Sequence, residues 1–184
     1  MNAIKSKYTY VLKSIKKQKF LKPKLTDLTG KTYVISGGTR GIGLSIGKHL
    51  SALGANIALL GKTTNPHPKL EGTIHTACQE VMMCRNNTDS KALGLLCDIR
   101  KPDSIDNAID ITVREFGSID GVVLNASALC LNPTLKQTDK EIDLMSGVNI
   151  NGTFRVGQKC LEHIKNSEHG SILLISPPIS MLYE

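Results

Sequence analysis

The chain has 184 residues, 40% hydrophobic and 21% charged, which suits one soluble globular domain with a single sizeable core and excludes fibrous, collagen-like and wholly disordered architectures. Three Phe, four Tyr and no Trp leave Ile, Leu, Val and Ala to build that core, and they argue against base-stacking or aromatic-cage functions. The formal net charge of +7 is uneven: residues 1–24 hold eight Lys and no acid, whereas the rest carries 15 basic against 16 acidic side chains, so a near-neutral domain with no nucleic-acid partner is expected.

Residues 1–27 read as a basic amino-terminal extension. Ile4, Tyr8, Val11, Leu12 and Ile15 share one helical stripe among lysines until Pro23, a pattern that fits either a solvated tail or a targeting segment. Residues 28–184 read as one domain in which short apolar runs alternate with longer segments of helical period, the pattern of a doubly wound parallel α/β sheet. Five strands are predicted, at 32–36, 56–60, 93–97, 120–124 and 171–175. The first crossover carries Ile42, Ile46, Leu50 and Leu53 on one helical face, with Gly54 placed as a left-handed terminator. A second, proline-rich crossover (Pro66, Pro68) leads to a helix from Ile74 to Met83. The third opens at Pro102, turns Ile105, Ala108, Ile109, Val113 and Phe116 inward, and closes at Gly117. A further helix starts near Thr138, three residues ahead of Glu141 in capping-box spacing, and helix is expected again toward Ile164.

Other chemistries find little footing. The five Cys lack any Cys-x-x-Cys pair and are odd in number, so a reducing compartment and inert thiols are expected. The five His show no metal-ligand spacing, and no metal is assigned. The longest apolar runs are far shorter than the roughly 20 residues of a membrane span, so no transmembrane segment is expected.

The strongest chemical signal is Ser36-Gly37-Gly38-Thr39-Arg40-Gly41-Ile42-Gly43, between the first predicted strand and the first helix. Glycines at a helix start let phosphate oxygens approach backbone N–H groups where the helix dipole favours an anion, which is the reason expected for Gly41 and Gly43. An NAD-selective site places an acid about 20 residues further on, at the end of the second strand. Here that strand ends in Leu60-Gly61-Lys62. A cation there pairs instead with an adenosine 2′-phosphate, and Arg40 can lie beside it, so the expected cofactor is NADP(H).

The spacing G-x-x-x-G-x-G resembles that of the short-chain dehydrogenase/reductase family. Cys97-Asp98, Asn125-Ala126-Ser127 and Val148-Asn149-Ile150-Asn151-Gly152-Thr153 agree with it, and the resemblance runs from about Leu28 to the carboxyl end. It implies a Rossmann-type fold and hydride exchange with a carbonyl or alcohol of a lipid-like small molecule. It further implies that Asp98 meets the adenine, that Asn125 lies against the cofactor, that Ser176 bonds the substrate carbonyl and that Asn149 helps hold a relay water. Asp98 reads equally as a helix-capping acid, Asn149 as a group satisfying backbone at a helix irregularity, and Ser176 as a polar strand end before Pro177-Pro178. The family's Tyr-x-x-x-Lys acid has no match: Tyr183 follows Ser176 too closely, and Tyr8, Tyr10 and Tyr33 come too early. The sheet is therefore expected to be incomplete on its carboxyl side, with Ile172 to Ile175 left as an apolar edge, and the chain to be a fragment or truncated product of a reductase. A non-catalytic dinucleotide-binding or interaction module is the alternative. The resemblance also implies a protein able to form homo-oligomers when intact, in mitochondria or peroxisomes, with the cytoplasm as alternative.

Overall fold

The computed structural model describes residues 27–66, 71–86 and 89–176. The expectations for the helix within 1–24, for Pro68, for the Pro177-Pro178 turn and for Tyr183 lie outside the described residues. In chain order the elements are β1 (Thr32–Ser36), α1 (Gly41–Ala52), β2 (Asn56–Gly61), α2 (Ile74–Met83), β3 (Ala92–Leu96), α3 (Pro102–Phe116) and β4 (Gly121–Leu124). A 3-10 turn at Thr134–Lys136, α4 (Asp139–Ser146), a π-helical turn at Gly147–Gly152, α5 (Thr153–Ile164) and β5 (Ser171–Leu174) follow.

The five strands are all parallel in the order β3-β2-β1-β4-β5. The chain winds outward from β1 to β3, then returns to the other side of β1 through α3. Because crossovers keep one hand, that reversal moves the helices to the opposite face and opens a crevice between the carboxyl ends of β1 and β4. Strand alternation supplies both faces. Ile35, Ile57, Leu59 and Val123 pack with Ala77 and Val81 of α2, whereas Val34, Ala58, Leu60, Val122 and Leu124 pack with Ile105, Ala108 and Ile109 of α3 and Val156, Cys160 and Ile164 of α5.

Two helices depart from the sequence pattern. On α1 the buried side is Gly43, Gly47 and Ser51, with Ile42 61% exposed and Leu50 only half-buried. A Cβ on Gly47 would stand 3.3 to 3.4 Å from Leu59, Ile35 and Val81, so small residues let α1 approach the sheet more closely than an aliphatic stripe allows. The Ser51 hydroxyl is satisfied there by the Val81 carbonyl at 3.0 Å. On α3 the buried face takes in Thr112, whose hydroxyl bonds the Ala108 carbonyl at 2.8 Å, while Val113 and Phe116 sit at its margin. The helix ends follow the sequence: Gly54 and Gly117 have φ of 95° and 82°, and Thr138 and Glu141 form a reciprocal capping box. Among the described residues β5 pairs with β4 alone, and Ile172, Leu173 and Leu174 are 48%, 48% and 58% exposed, the apolar edge expected from the sequence.

Asp120 ties the amino ends of three strands together. Its main chain donates to Thr32 O at 2.8 Å and accepts from Ser171 N at 3.0 Å. Its buried carboxylate accepts from Thr32 N at 2.9 Å, Lys31 Nζ at 3.1 Å, Ser118 Oγ at 3.2 Å and Ser167 Oγ at 2.6 Å. Burial pushes the Asp120 pKa up, but the bonds from Ser167, the Thr32 amide and Lys31 outweigh it and hold the group below the ordinary 3.8. Asp120→Ala is expected to lower the unfolding free energy by about 2–4 kcal/mol, measured by urea denaturation at neutral pH. Since the folded value is the depressed one, this contribution is complete above the ordinary carboxylate value and fades as pH falls below it. The stability gap between wild type and Asp120→Asn should therefore narrow below about pH 4.

Candidate dinucleotide site

The crevice at the β1/β4 switch is built on a backbone clasp. The Ser36 hydroxyl accepts from the amides of Asn125 at 3.0 Å and Ala126 at 3.1 Å and donates to Val123 O at 3.4 Å. In return the Asn125 carboxamide donates to Ser36 O at 3.2 Å and Gly37 O at 3.1 Å. Asn125, expected against a cofactor, thus spends its NH2 group holding the glycine turn in place.

The glycines above this clasp serve different ends. Gly37 has φ of 65°, and a Cβ there would come 2.9 Å from Ala126 Cα; a Cβ on Gly38 would come 2.7 Å from Leu59 Cδ2. For Gly43 the sequence reading needs correction. Its Cβ would lie 2.6 Å from both Asn125 Nδ2 and Gly37 O, so packing of the turn on α1, not the approach of a phosphate, requires glycine there. Gly41 is the reverse case: φ is 53°, it is exposed, and nothing stands within 4 Å of a Cβ, so its open side is free space at the start of α1. Arg40, the residue before the helix, makes no side-chain cap, and the first turn holds no acid. The leading amides of α1 and the positive end of its dipole are thereby left for an anion.

A cleft of about 520 Å³ runs across these groups. Of the sequence-predicted residues it is lined by Gly37, Thr39, Arg40, Ile42, Lys62, Asp98 and Asn125; the glycines at 38 and 43 are packed against their protein neighbours, and Gly41, Ser176 and Asn149 do not line it. Ile42, misplaced by its periodicity, is exposed because it forms part of this wall. At the β2 end Lys62 is exposed, and Arg40 Nη2 donates to Thr63 Oγ1 at 3.0 Å and to Gly72 O at 3.3 Å. Gly61 stands where a ribose-binding acid would project, yet a Cβ there would lie 2.4 Å from Thr39 Cγ2.

Asp98 sits opposite. Its carboxylate takes the Arg100 side chain at 3.0 and 3.2 Å through Nε, with a further contact to Nη2, and the Arg100 amide at 3.1 Å. Those bonds, the Arg100 side chain foremost, lower its pKa to about 2. It caps its own turn, and Lys101, not Asp98, precedes α3. Cys97 beside it is buried, with its thiol pushed up to about 11 by desolvation, in keeping with an inert role.

At the far end Leu144, Val148 and Ala128 give the cleft an apolar wall. Asn149 lies in the π turn and brackets Ala128, accepting from its amide and donating to its carbonyl, each at 2.9 Å. That is the backbone-satisfying alternative, exercised on the loop after β4. Ser176 is exposed, two residues beyond β5. Tyr33, the one tyrosine among the described residues, is at the opposite end of the sheet, its phenol pKa raised by burial. All five thiols are free, and no group of three metal-ligating side chains occurs among the described residues. Nor is any described helix long and apolar enough to cross a membrane. Sequence reasoning did not pick out Thr63 or the hydroxyl role of Ser36, since an isolated Ser or Thr carries no periodic or spacing signal.

A parallel sheet wound both ways around a glycine-lined helix start defines a nucleotide-binding α/β protein. The short chain dehydrogenase model matches residues 31–182, and the chain belongs to the short-chain dehydrogenase/reductase family. It is 40% identical over 159 residues to hydroxysteroid dehydrogenase-like protein 2 of Pongo abelii, a match covering 86% of this chain and 37% of that protein. Among solved structures, a short chain dehydrogenase from Mycobacterium thermoresistibile has a TM-score of 0.78 at 46% identity, covering 83% of this chain and 53% of that one. A putative dehydrogenase from Xanthomonas campestris has the same TM-score at 42% identity, covering 83% and 56%. The chain thus spans about a third of the length of the curated relatives it matches.

Gly43→Ala and Gly41→Ala should separate the two uses of glycine. The first is expected to destabilise the fold by about 1–3 kcal/mol through overpacking at the clasp. The second should cost about 1 kcal/mol, from its positive φ alone. Chemical denaturation of the two variants measures the difference.

Proposed function

We propose that the chain carries the NADP(H) site of an oxidoreductase that moves a hydride between the cofactor and a carbonyl or alcohol of a lipid-like small molecule. The observation that carries the cofactor choice is the end of β2. An acid that would bind the ribose hydroxyls of NAD is replaced by Gly61, whose missing side chain is the space that Thr39 fills. Arg40 and Lys62 border the same part of the cleft and offer two cations to a 2′-phosphate. The residues fit such a group: the uncapped start of α1 takes the pyrophosphate, and the open side of Gly41 gives it room.

Bound there, the nicotinamide supplies or accepts the hydride. The chain's own residues position the partners. The Ser36–Asn125 clasp holds the turn, Asn149 fixes the loop at Ala128 that walls the reacting end, and Ser176 is assigned to bond the substrate carbonyl oxygen. The proton for the developing alkoxide comes from an acid other than Tyr33, which lies at the wrong end of the sheet. Leu144 and Val148, together with the relatives' name, support the lipid-like substrate.

Titration of the 184-residue chain with NADPH and NADH, followed by nicotinamide fluorescence, tests this reading. NADPH is expected to bind about tenfold or more tightly, and Lys62→Ala to weaken NADPH about fivefold while leaving NADH nearly unchanged. Equal affinities in the wild type would overturn the cofactor assignment.

A further inference from the structure

The Arg40 guanidinium does not hang free at the cleft. The two hydrogens on Nη2 are spent on Thr63 Oγ1 at 3.0 Å and Gly72 O at 3.3 Å, which leaves those on Nε and Nη1 for a ligand. Both anchors are themselves fixed. The Thr63 carbonyl accepts from Ile74 N at 2.9 Å, at the first residue of α2, so the start of α2 holds the Thr63 backbone. Gly72 has φ of 86°, and a Cβ there would lie 2.5 Å from Thr39 O, so its carbonyl position depends on glycine. A surface arginine loses rotamer freedom when a ligand immobilises it. Here the fold has already met that cost.

We infer that Thr63 is a positioning residue that sets the preference for a ribose 2′-phosphate by holding the Arg40 fork ready at the end of β2. The inference rests on the NADP(H) reading and adds to it a residue that sits outside the glycine turn and need not touch the phosphate. Thr63 accepts from Arg40 and keeps its own hydroxyl proton, for which no acceptor occurs among the described residues. Valine has nearly the same shape but accepts nothing. Lys62, next in the chain, has a flexible stem and no such anchor among the described residues, so it contributes charge without geometry.

Calorimetric titration of the 184-residue chain with adenosine 2′,5′-bisphosphate and with 5′-AMP tests this, with thermal melts confirming that each variant is folded. Thr63→Val is expected to weaken the bisphosphate about five- to tenfold and to leave 5′-AMP within about twofold, whereas Thr63→Ser restores the wild-type value. Should Val strain the loop, Thr63→Ala makes the same comparison. In an Arg40→Ala background the Thr63 substitution should add nothing, because the two act as one unit. An equal loss for both ligands, or an unchanged bisphosphate affinity in Thr63→Val while Arg40→Ala weakens it, would overturn the positioning role and leave the NADP(H) reading intact. A wild type that binds the two ligands equally, indifferent to Arg40→Ala and Lys62→Ala, would overturn both.

Discussion

The seam between the paired strands β1 and β4 carries the site, and five hydrogen bonds between Ser36 and the 123–126 segment, with Gly37 included, hold its carboxyl end. At the carboxyl end of a parallel pair the ladder stops, and the last carbonyls and amides of both strands would otherwise face a water-filled crevice. Ser36 and Asn125 satisfy them reciprocally. In doing so they set the height at which the chain leaves β1, and therefore where the uncapped start of α1 points. Gly43 must then be glycine because α1 comes down onto this clasp, and Gly37 because its turn passes over Ala126. One small polar network thus dictates two of the glycines and the opening at a third.

The same economy governs charge. The near-neutral domain still presents two cations at one corner of the cleft, because Asp98, although it feels the charge of Lys62, has its carboxylate paired with Arg100. Had Arg100 been absent, a carboxylate on the cleft wall would offset the positive end on which an anion depends. The lysine-rich residues 1–24 carry +8 against −1 for the rest, but whole-chain charge says little about a site whose interactions fall off within roughly 10 Å at ordinary ionic strength.

Much of this was legible in the amino-acid sequence, for reasons that can be stated residue by residue. Strands buried on both faces read as unbroken aliphatic runs, so Asn56 to Leu60 needed no periodicity argument, and strand edges moved by only one residue at β2, β3, β4 and β5. Gly54, Gly117 and the Thr138–Glu141 pair announce helix ends because each satisfies a local backbone requirement. Periodicity failed where two demands met on one helix. Ile42 lies on the stripe with Ile46 and Leu50, but the opening turn of α1 belongs to the cleft, and the seam against the sheet uses glycine and serine, which hydrophobicity does not mark. Likewise Asn149 and Thr63 act through partners 21 and 23 positions away in the chain, a relation that no local pattern encodes.

The π turn at Gly147–Gly152 shows why such long-range roles matter for chemistry. An uninterrupted helix from α4 into α5 would rotate Asn149 by the angle of the extra residue and withdraw it from Ala128. Gly152 permits the bulge to pack, since a Cβ there would meet Ile99 Cγ1 at 2.7 Å and the Ile99 carbonyl at 2.9 Å. Ile99 belongs to the turn after β3 that also bears Asp98, so the helical irregularity bears on the cleft's two ends at once. Asn149 sets the loop beyond β4 from one side of the π turn, while Gly152 lets the segment holding Asp98 approach from the other.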